Sequence, residues 1–383
     1  MPPTNRHHLL VITDRVRGGG AESVTVDLIR RADPTRFRRS LCLTRPRDVD
    51  DPTGSRTLED LRAEGIELLV LRRRSRLDLR PWIQLMRFLR AEHVDLIHAH
   101  KFGSNFWGAM LGRLSRVPAV VAHEHTWSFE GNRARREIDR SVIGRLAHAV
   151  IAVSEADRRR MIELVGMPAD RIVLIPNGIP DFPARDGGRA RQELGIPADA
   201  PLLVMTAVLR RQKAIDVMLE AMAVLRRTLP DARLIVAGQG EKAGLVAAAA
   251  DLGLAEAVSF LGRRSDVPAL LAAANVGVLS SDYEGIPLAV LEYMAAALPV
   301  VATRVGGLPQ LVEEGKSGFL VPARDPEALA AAIATVLADK ELAVQMGERG
   351  RALQRAHYSS ETMARRVYEL YDRLLAATDH RLG

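Results

Sequence analysis

The sequence contains one cysteine, Cys42, only 4% aromatic residues and no long apolar run. A single cysteine excludes an internal disulfide framework and a cysteine-based metal centre, which fits a reducing compartment. No run approaches the roughly 18 apolar residues of a membrane-spanning helix. The first apolar segment, residues 8–13, is too short for the core of a signal peptide. We therefore expect a cytoplasmic protein, free in solution or bound peripherally at the inner face of the plasma membrane.

The charge is unevenly distributed along the chain. Residues 1–184 contain 31 basic and 23 acidic side chains, whereas the remainder contains 23 and 24, so the basic excess lies in the first half. It is densest in residues 72–76 and in a second group comprising Arg133, Arg135, Arg136 and Arg140. Such a surface favours anionic lipid headgroups, phosphorylated acceptors or nucleic acid. Arginine that merely solvates the surface is an equally good interpretation.

Short apolar runs alternate with amphipathic segments along the whole chain, and the length of 383 residues allows two domains of ordinary size. The predicted strands are 8–13, 41–43, 68–71, 96–97, 118–122, 149–153, 171–175, 202–205, 234–237, 258–261, 276–279 and 300–303. This alternation predicts an α/β fold of two doubly wound parallel-sheet domains, whose strand ends face each other across a cleft. Residues 180–201 are rich in proline, glycine, aspartate and arginine, and we place the domain boundary there.

The stretch from Ser280 to Glu292 has the pattern of a loop followed by a helix start, directly after the apolar run 276–279. Pro287 is expected at the first helical position, where a missing N–H costs nothing. This places Glu284 on the loop and Glu292 in the second turn of the helix.

Such a helix start offers free N–H groups and a positive dipole end, which suit a diphosphate. The rise from Pro287 to Glu292 is roughly 7 Å, so one carboxylate lies before the anion site and one beyond it. A nucleotide sugar presents hexose hydroxyls, a diphosphate and a ribose diol in the same order. The alternative is an ordinary helix whose two acids are solvated.

A second anion site is predicted near the N-terminus. Residues 8–13 lead into a glycine-rich turn that ends near Glu22, and a helix pattern follows. Gly20 would let a ligand approach the backbone closely. The spacing lacks the G-x-G-x-x-G fingerprint of dinucleotide-binding proteins, because Glu22 and Ser23 interrupt it.

Histidines and acids mark the ends of two predicted strands in the first half. His98 and His100 end one strand, and His123, Glu124 and His125 end the next, where ligands gather in open α/β sheets. The last three could bind a metal, but such residues are more often hydrogen-bonded cleft groups, and no further ligand is defined.

Two motif fragments are discounted. The acidic pair Asp48 and Asp50 resembles that of metal-dependent sugar transferases, but no apolar strand precedes it. Gly315-Lys316-Ser317 resembles the end of a phosphate-binding loop, but the glycine required five positions earlier is Gln310.

Taken together, the chain resembles the retaining glycosyltransferases of family 4, which have the GT-B fold, over nearly its entire length. The motifs that carry the resemblance are Gly19-Gly20-Ala21-Glu22, His98-Ala99-His100, Glu124-His125, Ala152-Val153-Ser154-Glu155, Ile175-Pro176-Asn177-Gly178, Gln212-Lys213, Phe260-Leu261-Gly262-Arg263, Asp266-Val267, Glu284-Gly285-Ile286-Pro287 with Glu292, and Gly315–Pro322. The resemblance implies an acceptor-binding Rossmann-like domain at 1–183 and a nucleotide-sugar-binding one at 184–360. It also implies a last helix, about 361–383, that packs back on the first domain.

The resemblance further implies a role for each matching residue. Glu284 would hold hydroxyls of the transferred sugar, Glu292 the ribose, and Lys213 the diphosphate. His125 matches the family's active-site histidine, with His123 as the fallback. We therefore expect His125, Lys213 and Glu284 to be catalytic. The expected donor site comprises Gly20, Arg210, Lys213, Gly262, Glu284, Gly285, Ile286, Pro287, Leu288 and Glu292, and the acceptor side Gly19, His100 and His123.

One position departs from the family pattern. Many members carry arginine five residues before the motif lysine, where this chain has Val208. Arg210 or Arg211 could supply the charge, and we favour Arg210. Lys213 has an alternative role too, since it could pair with Asp216 on a helix surface.

The implied activity is transfer of a hexose-type sugar from a UDP-, GDP- or ADP-sugar to a glycan or lipid-linked acceptor. It would retain the anomeric configuration by front-side attack, with the departing phosphate as base, and would need neither cofactor nor metal. The implied partners include no nucleic acid, and an anionic membrane would be met through the basic first domain. Alternatives are a sugar-nucleotide epimerase or glycogen-type synthase of the same fold, or a non-catalytic sugar-nucleotide-binding protein.

Overall fold

The computed structural model describes residues 6–16, 19–45, 52–72, 78–125, 132–182 and 186–382, with the backbone alone for 52–55 and 378–382. The discounted pair Asp48 and Asp50 and most of the basic run 72–76 lie outside these residues. Among the described helices, none is both long and apolar enough to cross a membrane.

The chain divides into two compact units. The first comprises Met1–Asn177 and Ser360–Gly383, and the second comprises Gly178–Ser359. The sequence boundary was placed six residues later, at 183/184. The predicted boundary region, residues 180–201, is not an irregular linker throughout. It contains the helix Gly187–Glu193, which belongs to the second unit.

The first unit is built on a seven-stranded sheet in which every recorded pairing is parallel. Its order is β3-β2-β1-β4-β5-β6-β7, the order of a doubly wound nucleotide-binding sheet. The strands are β1 His7–Thr13, β2 Phe37–Leu43, β3 Glu67–Val70, β4 Leu96–His100, β5 Ala119–Glu124, β6 Ala149–Ala152 and β7 Ile172–Leu174. The helices are α1 Gly20–Arg31, α2 Pro52–Ala63, α3 Arg80–Ala91, α4 Lys101–Ser115, α5 Arg133–Ile138, α6 Gly144–Leu146, α7 Glu155–Arg160 and, after the second unit, α16 Ser360–Leu382.

The second unit has a six-stranded parallel sheet of order β10-β9-β8-β11-β12-β13. Its strands are β8 Leu202–Thr206, β9 Arg233–Ala237, β10 Val258–Gly262, β11 Val276–Leu279, β12 Val300–Thr303 and β13 Gly318–Val321. Its helices are α8 Gly187–Glu193, α9 Ile215–Leu225, α10 Ala243–Asp251, α11 Val267–Ala273, α12 Leu288–Ala295, α13 Leu308–Leu311, α14 Pro326–Ala338 and α15 Lys340–His357. The predicted class of two parallel-sheet α/β domains is therefore confirmed.

Close packing of helices on the sheet depends on small residues in the strands. A Cβ on Gly277 of β11 would lie 2.4 Å from the ring of Tyr293, which projects from α12. The Tyr293 hydroxyl in turn receives the backbone N–H of Thr206 on the neighbouring β8, at 2.7 Å. Tyr293 thus fixes α12 against the two central strands, and α12 carries the predicted ribose ligand Glu292.

Each of the twelve predicted strands overlaps a strand of the structure. The run 41–43 is the end of a longer strand, β2, because Arg38 and Arg39 interrupt the apolar pattern that was used to find it. Strand β13 was not predicted. Pro287 is not the first helical residue as expected, since its ψ of 118° is extended and the helix begins at Leu288.

The last helix, α16, contacts the first unit. The Tyr368 hydroxyl donates to the Leu28 carbonyl at 2.5 Å, and Arg31 pairs with Glu361 at 2.8 Å. The Tyr371 hydroxyl lies 2.5 Å from Nδ1 of the buried His98. Through these contacts α16 forms part of the core beneath the end of strand β4.

Candidate active site

In the second unit, Lys213 and Glu284 form a buried ion pair. Lys213 ends a short 3₁₀ turn between β8 and α9, and Glu284 lies on the loop after β11. Lys213 Nζ is 2.5 Å from Glu284 Oε1, and the Ser281 hydroxyl donates to the same oxygen at 2.6 Å. The two charged side chains are 15% and 6% exposed, so the pair is largely shielded from water.

Both donors approach Oε1 of Glu284, and Oε2 has no partner among the residues that the structure describes. A carboxylate has acceptor capacity on each oxygen. Glu284 is therefore held by Lys213 and Ser281 while one oxygen remains available to hydroxyl donors.

Backbone hydrogen bonds join the two loops that carry this pair. The Asp282 N–H donates to the Gln212 carbonyl at 2.8 Å. The Ser280 hydroxyl contacts the carbonyls of Lys213 and Ala214, each at 2.9 Å. The position of Lys213 beside Glu284 is thus set by main-chain contacts as well as by charge.

Pairing of Lys213 with Asp216, the alternative that the sequence left open, does not occur in the structure. Asp216 pairs instead with Arg324 at 2.8 Å, and Arg324 also binds Asp282. Lys213 is directed to Glu284 because its turn lies beside the loop after β11 rather than on the surface of α9.

Gly306 was not predicted as a site residue, yet it determines where the Glu284 backbone lies. Its φ is +54°, and a Cβ there would lie 1.8 Å from the Glu284 carbonyl oxygen. Only glycine allows this approach. The Gly306-Gly307 dipeptide after β12 can be seen in the sequence as a turn signal. That Gly306 lies against Glu284 cannot be seen there, because the two residues follow different strands.

Helix α12 presents the predicted diphosphate site. It begins at Leu288 with no side-chain cap, so its first N–H groups have no acceptor within the helix. Ile286, Pro287 and Gly285 precede it and are buried, whereas Leu288 is half-buried. The structure therefore keeps the predicted loop, helix start and Glu292 in one continuous segment.

The Glu292 carboxylate has a single hydrogen-bond partner among the described residues, the Thr206 hydroxyl, 3.3 Å from Oε2. Burial raises the pKa of Glu292 to about 7, and the hydrogen bond from Thr206 opposes this rise. The carboxylate thus receives fewer hydrogen bonds than its two oxygens can accept. A diol that donates two hydrogen bonds would favour its ionised form. Thr206, at the end of β8, was not identified from the sequence.

The other predicted donor residues of this unit lie at strand ends. Gly262 is the last residue of β10, has a φ of +67° and would have open space around a Cβ. Arg210, the proposed replacement for the charge missing at Val208, is exposed and pairs with no described side chain. It precedes the turn that carries Lys213.

In the first unit, helix α1 begins at Gly20, earlier than expected, because the extended residue Gly19 rather than Glu22 precedes its first turn. Glu22 is buried in that turn and forms an ion pair with Lys101 at the start of α4. The helix start therefore carries an internal acid–base pair beside the predicted approach of a ligand to Gly20.

His100, His123 and His125 come together at the ends of β4 and β5. His100 Nδ1 is 3.0 Å from His125 Nε2, and the rings of His123 and His125 stack at 4.2 Å. Burial lowers the pKa of His100 and His125 well below the usual histidine value, and that of His123 to about 3. Asn177 opposes this shift at His125 through a side-chain hydrogen bond. His125 is therefore neutral at pH 7.

Two charged residues near the histidines pair with each other. Glu124, which the sequence offered only as a less favoured metal ligand, pairs with Arg135 at 3.5 Å. The expectation that Arg135 belongs to the basic surface was wrong. Arg135 is 9% exposed, pairs also with Asp139, and stacks over the Phe102 ring at 4.3 Å. Only Arg133, Arg136 and Arg140 of that group remain exposed or half-buried.

Comparison with protein families covers most of the chain. Residues 18–181 match the model of Glycosyltransferase Family 4, and residues 187–353 match that of Glycosyl transferases group 1. The two matches meet close to the division between the compact units.

Several relatives are similar along most of their length. A D-inositol 3-phosphate glycosyltransferase of Corynebacterium jeikeium is 31% identical, over 76% of this chain and 75% of the relative. A GDP-mannose-dependent alpha-(1-6)-phosphatidylinositol monomannoside mannosyltransferase of Mycolicibacterium smegmatis is 34% identical, over 74% and 78% respectively.

Solved structures have the same fold. Anabaena HepE, in complex with UDP and glucose, superposes with a TM-score of 0.84 at 22% identity, over 96% of this chain and 100% of that one. Sucrose-phosphate synthase from Thermosynechococcus elongatus gives 0.78 at 23%, over 97% and 100%. These likenesses confirm the predicted GT-B fold.

The raised pKa of Glu292 predicts a pH-dependent stability. Protonated Glu292 stabilises the folded state relative to the unfolded chain. This contribution to the free energy of unfolding is complete below the ordinary carboxyl pKa and is lost as the pH rises through about 7. Glu292→Gln should therefore raise the free energy of unfolding by about 2 kcal/mol at pH 8. This value follows from 1.36 kcal/mol for each unit by which the pKa is raised, reduced because the side chain is partly exposed to solvent. Near pH 4.5 it should change little.

Denaturant unfolding at the two pH values measures this difference, with the exposed Glu220→Gln of α9 as the matched control. An equal effect of Glu292→Gln at both pH values would show that Glu292 has an ordinary pKa.

Proposed function

This chain belongs to glycosyltransferase family 4 and is a glycosyltransferase, and we propose that it transfers a hexose-type sugar from a nucleoside-diphosphate sugar with retention of configuration. The observation that carries the proposal is the arrangement on the loop and helix after β11. A buried Lys213–Glu284 pair lies before the uncapped start of α12. The Glu292 carboxylate, which receives one hydrogen bond, lies after that helix start.

In this proposal each part of the donor meets a matching group. Hydroxyls of the sugar donate to Oε2 of Glu284, and the diphosphate accepts from N–H groups at the start of α12. The ribose diol donates to Glu292. Charged hydrogen bonds of this kind contribute about 1.5–3 kcal/mol each, so the two carboxylates provide much of the specificity for a polyol at each end.

The nature of the donor receives support from the relatives. HepE was crystallised with UDP-glucose, and the mycobacterial relative is described as GDP-mannose-dependent. We extend to this chain only what they share, a nucleoside-diphosphate hexose. UDP-, GDP- and ADP-sugars are all candidates, because the proposed contacts of Glu284, Lys213 and Glu292 are with the sugar, phosphates and ribose rather than with the base.

Lys213 has the main electrostatic role in the proposed reaction. As the bond between the anomeric carbon and the donor phosphate breaks, negative charge grows on the departing diphosphate. The ammonium group has three donors, so it can keep its bond to Glu284 and also contact a phosphate oxygen. In the shielded setting of this pair, such a contact stabilises the transition state more than it would in water.

The remaining steps need no protein group that titrates near pH 7. The acceptor hydroxyl attacks from the same face as the leaving group, and the departing phosphate oxygen takes its proton. His125, which burial keeps neutral, would hydrogen-bond the donor sugar rather than act as a general acid. No cofactor and no divalent metal ion takes part.

We propose an anionic, glycan or lipid-linked acceptor, which would bind the first unit near Gly19, His100 and His123. Named acceptors of the relatives include inositol 3-phosphate, a phosphatidylinositol mannoside and a diphosphoundecaprenol-linked sugar. All three carry phosphate. The exposed Arg133 and Arg140 and the half-buried Arg136 give the first unit a surface suited to such acceptors or to an anionic membrane face.

The proposal is tested by following nucleoside diphosphate and glycoside product with a panel of donors and phosphorylated acceptors, in EDTA throughout. We expect release of the diphosphate only when an acceptor is present, an α-configured product from an α-configured donor, and undiminished activity in EDTA. Release without acceptor would favour the epimerase interpretation, and loss in EDTA with rescue by Mg²⁺ or Mn²⁺ would overturn the metal-free mechanism.

The role of Lys213 makes a kinetic prediction. Lys213→Ala should lower kcat by about 10²–10³-fold, the usual effect of removing a transition-state charge contact, while weakening donor binding by less than tenfold. Steady-state kinetics and calorimetry of donor binding separate the two effects.

Lys316→Ala removes an exposed charge from the same unit and serves as the control. The free energy of unfolding is measured alongside, because Lys213→Ala leaves Glu284 buried without its cation. Equal losses in kcat and in donor affinity would contradict the assignment.

A further inference from the structure

Four histidine rings form one packed cluster inside the first unit, which we call the histidine cluster: His98, His100, His123 and His125. Alternate residues of a strand lie on one face, and the register pairs His100 of β4 with His123 of β5. The rings of His98 and His123 stack at 5.3 Å and 1°, and those of His98 and His100 lie 4.2 Å apart. The cluster thus brings four imidazoles to one place on the sheet.

Several ring nitrogens of this cluster lack a protein partner. Among the described residues, Nε2 of His98, Nε2 of His100 and both nitrogens of His123 are buried without a hydrogen bond. All three side chains are 0% exposed. A buried polar atom left unpaired typically costs about 1–3 kcal/mol, so four in one cluster require a ligand or a function to explain them.

We propose that His98, His100 and His123 bind a transition-metal ion of the class that prefers imidazole, such as Zn²⁺. One ring nitrogen of each lies within 4.8 Å of those of the other two. Zn–N bonds are about 2.0–2.1 Å, so the three ring nitrogens must converge on one point to bind a single ion. Three histidines plus a water or hydroxide form a known tetrahedral zinc site.

The ring nitrogens of His98 and His100 that would not bind the metal have hydrogen-bond partners, as is usual for histidine ligands. His98 Nδ1 lies 2.5 Å from the Tyr371 hydroxyl, and His100 Nδ1 lies 3.0 Å from His125 Nε2. Ligation through Nε2 leaves the proton on Nδ1, where it can be donated to these partners. Such contacts orient the ring and raise its basicity.

This site differs in its chemistry from a metal site for donor phosphates, although His100 and His123 also belong to the proposed acceptor side and His100 contacts His125. Mg²⁺ and Mn²⁺, the usual ions of diphosphate substrates, prefer oxygen ligands and would not select three imidazoles. The sequence pattern left a metal at His123, Glu124 and His125 as the less favoured alternative. In the structure Glu124 pairs with Arg135, and the proposed further ligands come from β4. The inference stands whether or not the chain transfers a sugar.

The experiment uses the full-length untagged chain, stripped of metal and titrated with Co²⁺ and Zn²⁺. We expect one Co²⁺ per chain with intense visible d–d absorption, which reports tetrahedral coordination, and its displacement by one Zn²⁺. Mg²⁺ should neither bind nor displace. Weak pink octahedral spectra, or no stoichiometric binding, would overturn the proposal and assign the cluster to buried water.

His123→Phe is the decisive variant, because it keeps a stacked ring and its lost nitrogens leave no protein partner unpaired. It should abolish the tetrahedral spectrum, whereas His357→Asn, which changes an exposed histidine of the second unit, should leave it unchanged. Tyr371→Phe keeps all three ligands and should weaken Co²⁺ binding by about 10–100-fold. An unaltered spectrum and affinity in His123→Phe would refute the site even if the wild-type chain binds metal.

Discussion

The buried ion pair between Lys213 and Glu284 is the interaction on which the second unit's site depends. Its position is set by hydrogen bonds between two loops, by the Ser281 hydroxyl and by the absence of a side chain at Gly306. A buried pair of this kind contributes little net stability, because desolvation offsets much of the attraction. Its value is in placing a cation and a free carboxylate oxygen at a helix start before any ligand arrives.

Burial acts on different groups at the candidate sites of the two units. The second unit keeps charged groups under shielding, with Lys213 paired and the pKa of Glu292 raised to about 7 by burial. The first unit keeps its strand-end histidines neutral through the same desolvation, so that His125 can offer only hydrogen bonds at pH 7.

The fold was predictable because strands of a parallel sheet are covered on both faces and therefore appear as uninterrupted apolar runs. Prediction was incomplete where that pattern fails, as in β2, which begins before Arg38, and β4, which continues through two histidines. The candidate residues Glu284 and Glu292 were predicted from the loop and helix start that follow an apolar run, and Lys213 was predicted from the family resemblance. Their partners were not predicted: nothing local distinguishes Thr206, and the Gly306-Gly307 dipeptide does not reveal that Gly306 approaches the Glu284 carbonyl.

Tertiary neighbours also decided what the sequence pattern left open. Arg135 belongs to a basic run but is buried against Glu124, Asp139 and Phe102. The histidine cluster is a product of strand register and of Tyr371, which is 273 residues away from His98 along the chain. Such contacts follow from the packed sheet and the returning helix α16, and not from the spacing of either motif.

The central claim is that Glu284 and Glu292 hold the two polyol ends of one nucleotide sugar. It is tested most directly by calorimetric titration of the wild-type chain and Glu292→Ala with the UDP-, GDP- or ADP-sugar that stabilises the wild-type chain most. The account predicts that Glu292→Ala weakens binding by about 1.5–3 kcal/mol, while Glu220→Ala of α9 does not change it. Equal donor affinity in wild type and Glu292→Ala would contradict it.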